Sequence, residues 1–158
     1  MAGFLLPQLM AVSKYVSEVK TIDHNQQVIF NYLSNFEHLS QYLNEGLLAK
    51  ITERVPQIKI ENFESDYDSC RFSIVGLGLA EIRITEREPF KTIKVESTGN
   101  LPVEITFWIQ LLPVSPYQTK LRLTLHAEMS MMIRMMAGSK LEEGVNQLAE
   151  LLTRLPYR

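Results

Sequence analysis

Three histidines, one cysteine and a run of methionines are the residues whose chemistry reaches beyond packing. His24, His38 and His126 lie far apart and show none of the close spacing with which a helix or hairpin presents metal ligands. Acid–base work by any of them needs partners converging from elsewhere, so surface or capping roles are their ordinary reading. Cys70 falls on the apolar side of an alternating run with no neighbouring histidine or cation to make a thiolate, and reads as a buried, inert thiol. A single cysteine forms no internal disulfide, which fits a reducing compartment. Gly76-Leu77-Gly78 joins strand to strand, so it reads as a bend or bulge and not as a phosphate cradle, which needs a helix N-terminus. The serines have no identifiable His/Asp partners, and a triad assembled in space leaves no mark in sequence. No catalytic residue, no metal ligand and no cofactor is assigned.

The methionines form the most unusual local feature: Met129, Met131, Met132, Met135 and Met136 stand within eight positions. Unbranched thioethers fill irregular gaps and adapt to ligands of uncertain shape. Two readings stay open, ordinary core at a helix–sheet junction and the pliable wall of a ligand cavity. Arg134 interrupts the cluster in heptad phase with Leu141 and Leu148. It either snorkels to solvent or reaches a cavity mouth, where it would pair with an anionic head group. Phe72, Ile74, Ile82, Ile93, Phe107 and Leu123 occupy the apolar side of alternating strands; each either fills core or lines a pocket, and periodicity does not separate the two. Ser97 and Arg134 are the best polar candidates on that side, and Trp108 and Tyr42 are rim candidates or plain packing.

These residues need elements to hold them. Residues 14–22 are rich in β-formers and read as a first strand. Asp23 or Asn25 can cap a helix running to about residue 35, with Val28, Ile29, Tyr32 and Leu33 at helical spacing. Residues 38–50 read as a second short helix. From Ile58 the period changes to two, and six strands follow through Met129, broken by a polar turn at 66–69, by Gly76 and Gly78, by Glu88-Pro89, by Gly99-Asn100 and by a loop at 113–116. Their one-sidedness suits an antiparallel sheet with one wet face. From about residue 130 to 155 Leu141, Val145, Leu148, Leu152 and Leu155 step by four, three, four and three, an unbroken stripe that must lie on the apolar sheet face. Gly138-Ser139 is the place where this helix is expected to loosen or kink.

The chain has 158 residues, enough for one self-sufficient core, with 46% hydrophobic and 22% charged residues and a formal net charge of −2. Its basic residues are scattered, which argues against nucleic acid. The apolar start of the chain is too short to span a bilayer and lacks the marks of a secretory signal, so no stable membrane insertion and a cytoplasmic location are expected. Residues 1–12 are read as an N-terminal extension and 13–158 as a single domain.

The order strand, two short helices, six strands, long C-terminal helix resembles the START-like superfamily, also called the SRPBCC or polyketide cyclase/dehydrase-like group. Three stretches carry the resemblance: Val19-Lys20-Thr21-Ile22 with Val28-Ile29-Phe30-Asn31-Tyr32-Leu33-Ser34, then Asp68-Ser69-Cys70-Arg71-Phe72-Ser73-Ile74 with Gly76, then Met131-Met132-Ile133-Arg134-Met135-Met136. It implies an α+β helix-grip (START/Bet v 1-like) fold, a seven-stranded antiparallel sheet curved around the C-terminal helix. It also implies an apolar cavity between sheet and helix, and hence binding or carriage of a lipid-like or polyketide-like molecule, with Phe72, Ile74, Ile82, Ile93, Phe107, Leu123, Met129, Met132, Arg134, Met135 and Met136 as the expected ligand-binding residues. A cyclase/dehydrase-type enzyme and a protein or membrane interaction module remain as alternatives, and self-association is left open.

Overall fold

The computed structural model describes residues 10–38, 60–75, 78–98 and 103–158, with the backbone alone for residues 10, 11, 60 and 74. In chain order the elements are β1 (Met10–Val16), β2 (Lys20–Ile22), α1 (Gln26–Leu33), β3 (Ile60–Ser65), β4 (Ser69–Ile74), β5 (Gly78–Glu88), β6 (Thr92–Ser97), β7 (Glu104–Ser115), β8 (Gln118–Ser130) and α2 (Met131–Leu152). All strands are antiparallel in one sheet, ordered β1-β8-β7-β6-β5-β4-β3, with β2 also on β8. The strand count is eight where seven were expected, because the first strand is divided: Ser17 to Val19 leave the ladder, and β2 resumes pairing with β8 further along. The break is held, since the Ser17 amide donates to the Leu123 carbonyl and the Leu123 amide to Ser17 Oγ, both at 2.9 Å. Residues 10–12, counted above with the extension, pair with residues 128–130.

The expected second helix, residues 38–50, and its rim candidate Tyr42 lie outside the described residues. Of the two candidate caps for α1, Asn25 fills the role: its backbone is extended and its Oδ1 accepts from the Gln27 amide at 2.9 Å. Ile29, Phe30 and Leu33 then share the buried side. β7 runs through Pro113 to Ser115, beyond the expected start of a loop. Pro113 is tolerated there because β6 pairs no further than Gln110 and the β7–β8 register shifts between Pro113 and Ser115. At the far side of the sheet, β3 is an edge strand. Asn62 at φ 56° and a bulge between Glu61 and Glu64 bend it and put charge along it, which blunts edge-to-edge pairing. Gly78 opens β5 at φ 122°, a conformation that costs a residue with a Cβ.

α2 is continuous through Gly138-Ser139. Ser130 caps it, Oγ accepting from the Ile133 amide at 3.3 Å. It lies alongside β1 and β2 and runs in their direction. Tyr15 Oη stands 3.4 Å from where a Cβ on Gly138 would be; further along, the Glu18 amide donates to Asn146 Oδ1 at 2.8 Å, and Lys20 Nζ meets Glu150 Oε2 at 3.1 Å. Val145, Ala149 and Leu152 are buried and Leu141 and Leu148 half-buried, so the expected stripe faces the sheet. Beyond the helix Leu155 and Tyr157 fold back into the core, and the Tyr157 hydroxyl donates to the Leu152 carbonyl at 2.5 Å. No described helix is long and apolar enough to cross a membrane.

Candidate functional site

The inward face of the sheet is built from cross-strand rows, one residue from each strand, because antiparallel register puts facing residues on the same side. Nearest α1 the rows are sealed. Ile22, Ile93, Ile109, Leu111, Leu121 and Leu123 are buried under Ile29, Phe30 and Leu33 from one side and Leu152, Leu155 and Tyr157 from the other. Toward the head of α2 the same face opens. Phe63, Phe72, Ile82, Ile105 and Phe107 are only half-buried, as is Leu141 on the helix above them. Phe63 and Phe72 stack at 6.2 Å between ring centres. The half-covered inward residues at this end are the large ones, while Cys70, Ala80, Ala127 and Met129 beside them are buried.

One row in the open half sets serine, cysteine and alanine beside two isoleucines. Ser65 pairs with Cys70, Cys70 with Ile82, and Ile82 with Ser97. The Ile105 amide donates to Ser97 Oγ at 2.8 Å, Ile105 pairs with Ala127, and Ala127 with Ser13. This rung crosses from one edge of the sheet to the other. Its terminal hydroxyls, Ser13 Oγ and Ser65 Oγ, are buried and have no hydrogen-bond partner, whereas buried hydroxyls are ordinarily satisfied.

The expected site residues separate accordingly. Phe72, Ile82 and Phe107 share the open half of the concave face, while Ile93 and Leu123 are fully buried in the sealed half. Met129 is fully buried at the end of β8. Ile74 pairs with Gly78 and Ile60, and its side chain lies outside the described structure. Met132, Met135 and Met136 are 71%, 84% and 71% exposed, and Arg134 is exposed beside them, so the structure does not bring these four to the concave face. Helical phase is the reason for two of them: at about 100° per residue, Met136 stands roughly 180° from Val145 and Met132 about 140° from it, whereas Arg134, about 20° from Val145, and Met135, about 80° from it, are exposed at the helix head in spite of their phase. They sit at the open end as a rim. Ser97 is inward, as expected; Ser13 and Ser65 were missed, because only the register reveals that they end the same row.

The remaining reactive groups sit apart from this face or are silenced. Burial pushes the Cys70 thiol up to about 12, with Asp66 adding to the effect, so it carries no thiolate near neutrality. His126 meets the edge of Trp108 on the outer face, ring centres 4.7 Å apart. His24, Tyr157, Tyr32 and His38 form a chain of ring contacts at 5.6, 5.2 and 4.5 Å. Beside it a shallow cleft of about 290 Å³ is lined by Tyr32, His38, Pro156 and Arg158; His38 Nδ1 lies 2.9 Å from the Tyr32 carbonyl. Among the described residues no group of three or more His, Cys, Asp or Glu is placed to hold a metal ion.

No family model and no curated protein matches the sequence. Solved structures do match the fold. Norcoclaurine synthase from Thalictrum flavum is similar with a TM-score of 0.63 at 11% identity, over 97% of this chain and 91% of that one. The Mll3558 protein from Rhizobium loti is similar with a TM-score of 0.63 at 15% identity, over 91% of this chain and 96% of that one. TTHA0849 from Thermus thermophilus gives 0.59 at 17% identity, over 89% and 94% of the two chains. With the antiparallel sheet wrapped along α2 and these neighbours sharing nearly its whole length, the chain has a helix-grip fold, the one expected from its order of strands and helices.

Proposed function

We propose that the protein binds or carries a hydrophobic small molecule between the open half of the concave sheet face and α2. One observation carries this reading: Phe63, Phe72, Ile82, Ile105 and Phe107 point inward yet remain half-buried, while the inward residues of the other half are sealed. Apolar surface that is turned toward the interior and left incompletely covered gains free energy, about 25 cal/mol per Å², when a ligand covers it. The exposed methionines at the head of α2 give the opening a deformable rim. Norcoclaurine synthase is by name an enzyme, but in the open half here the rows present carbon, sulfur and hydroxyl groups, with no described His, Asp, Glu or Lys among them. Binding without catalysis therefore fits better. Titration with Nile red is the test: saturable one-to-one binding with a blue-shifted emission, lost in Phe107→Glu, is expected. Absence of saturable binding to the folded protein sinks the reading.

A second reading has its own observation, the exposure of Met131, Met132, Met135 and Met136 together on the head of α2. An apolar patch of this kind is a docking surface when a partner exists. Co-sedimentation with neutral phospholipid vesicles, reduced in Met132→Gln/Met135→Gln, would favour it; no vesicle association would remove it.

A further inference from the structure

Ser13 is 6% exposed, lies on the inward side of β1 next to α2, and its hydroxyl has no partner. Ser65 Oγ, buried and equally unpartnered, ends the same row on β3. Between them Ser97 Oγ accepts from the Ile105 amide, and its own proton bonds no described residue. The rest of the rung is Cys70, Ile82, Ile105 and Ala127. Five of the seven members of the rung are Ser, Cys or Ala, so its hydroxyls stand beside little side-chain bulk. A buried hydroxyl without a bond carries a desolvation cost that a ligand oxygen would relieve.

The described side chains of the rung and of the rows beside it carry no charge. Tyr15, Leu125, Phe107, Val95 and Ile84 form the next row on one side, and Phe72, Ala80 and Met129 stand on the other. From α2, Leu141 and Val145 face the sheet while Glu142, Glu143 and Arg134 are exposed. Among the described inward residues no cation stands ready to pair a carboxylate, which is costly to bury alone. A ketone, ester or alcohol would not.

We infer that the ligand is an uncharged hydrophobic molecule bearing a carbonyl or hydroxyl oxygen, and that Ser13 is the residue that recognises this oxygen, with Ser65 and Ser97 offering further hydroxyls along the same rung. This deepens the binding reading above and rests on it. It predicts selectivity by polarity at constant shape.

The test compares 2-acetylnaphthalene, 2-ethylnaphthalene and 2-naphthoate, matched in size, by calorimetric titration of the full chain. The ketone is expected to bind about five- to tenfold tighter than the hydrocarbon, and the anion weaker than the ketone. Ser13→Ala should lower ketone affinity by about the same factor and leave the hydrocarbon unchanged. The melting temperature of ligand-free Ser13→Ala should stay level or rise, since an unsatisfied buried hydroxyl is removed; this shows that any lost binding is not lost folding. Equal affinity for ketone and hydrocarbon, or an unchanged ketone affinity in Ser13→Ala, overturns the role of the rung while the binding site stands. Tighter binding of the naphthoate overturns the uncharged ligand. Binding of none of the three compounds, together with no saturable Nile red binding, overturns the site and the inference with it.

Discussion

Arg87 joins three separate parts of the chain. Its Nε and one terminal nitrogen donate to the Ser34 carbonyl at 3.1 and 2.9 Å, the same nitrogen reaches the Tyr67 carbonyl at 3.2 Å, and the other meets Asp68 Oδ1 at 2.8 Å. The guanidinium also lies over the Tyr67 ring, 4.2 Å from its centre. It therefore ties the C-terminus of α1 and the β3–β4 turn to β5, and only a planar fork makes all of these bonds at once. Arg87→Lys is expected to lower stability by about 1–2 kcal/mol and Arg87→Met by about 2–3 kcal/mol in urea unfolding. Nothing in the sequence marks this residue, because its partners lie 53 and 20 positions away. Cys70 is the opposite case, legible from strand alternation alone. The thiol titrates at 9.0 when outside the fold and at about 12 within it, so the folded chain holds this proton more tightly. That contribution is whole below pH 9 and is lost as pH rises through about 12. The buried Tyr157 phenol, also pushed up by burial, acts with the same sign above its ordinary value of 10.0. Stability should accordingly fall above pH 9, and Cys70 should resist Ellman's reagent at pH 8 until the protein is unfolded; rapid labelling of the folded protein would contradict its burial.

At the scale of elements, α2 shows how far periodicity reaches. The stripe from Leu141 through Val145 and Leu148 to Leu152 is readable as spacing and faces the sheet. The same periodicity, carried back toward the helix head, turns Met132 and Met136 away from the sheet. Treating the methionines as one cluster hides that, although helical phase alone contains it. Gly138 is the weak point of the helix only by propensity. A Cβ there would meet Tyr15 Oη at 3.4 Å, an ordinary contact with the end of a flexible side chain. Gly138→Ala should therefore stabilise the protein by up to about 1 kcal/mol, measured as a raised melting temperature. A loss of stability would mean that Tyr15 cannot give way to the added methyl group. The division of the first strand is not legible. Val19, Lys20 and Thr21 suit a strand as well as Tyr15 does, and the interruption at Ser17 to Val19 exists because Ser17 bonds back to Leu123 while the chain follows α2.

The large inward residues differ in how completely they are covered, and mutation should report the difference. Leu123 is fully buried in the sealed half, and Leu123→Ala should cost about 2–4 kcal/mol, counting both the lost burial and the cavity left behind. Phe107 is a larger side chain on the next strand but only half-buried, and Phe107→Ala should cost less, about 1–2 kcal/mol, while weakening Nile red binding. Equal or reversed costs, measured by urea unfolding of both variants, would mean that the two halves of the core are packed alike. The sequence by itself determined the order of the described strands and helices apart from the division of the first strand, the one-sided faces of the sheet, the apolar stripe of α2 and the inertness of Cys70, because each of these follows from side-chain period along a single element. The tertiary structure alone decided which inward residues are sealed and which are left half-covered, that Ser13 and Ser65 end one cross-strand row, and that Arg87 binds two distant carbonyls. Those are properties of register and of how the sheet curves along the helix. They bring together residues separated by many tens of positions, and no local pattern encodes them.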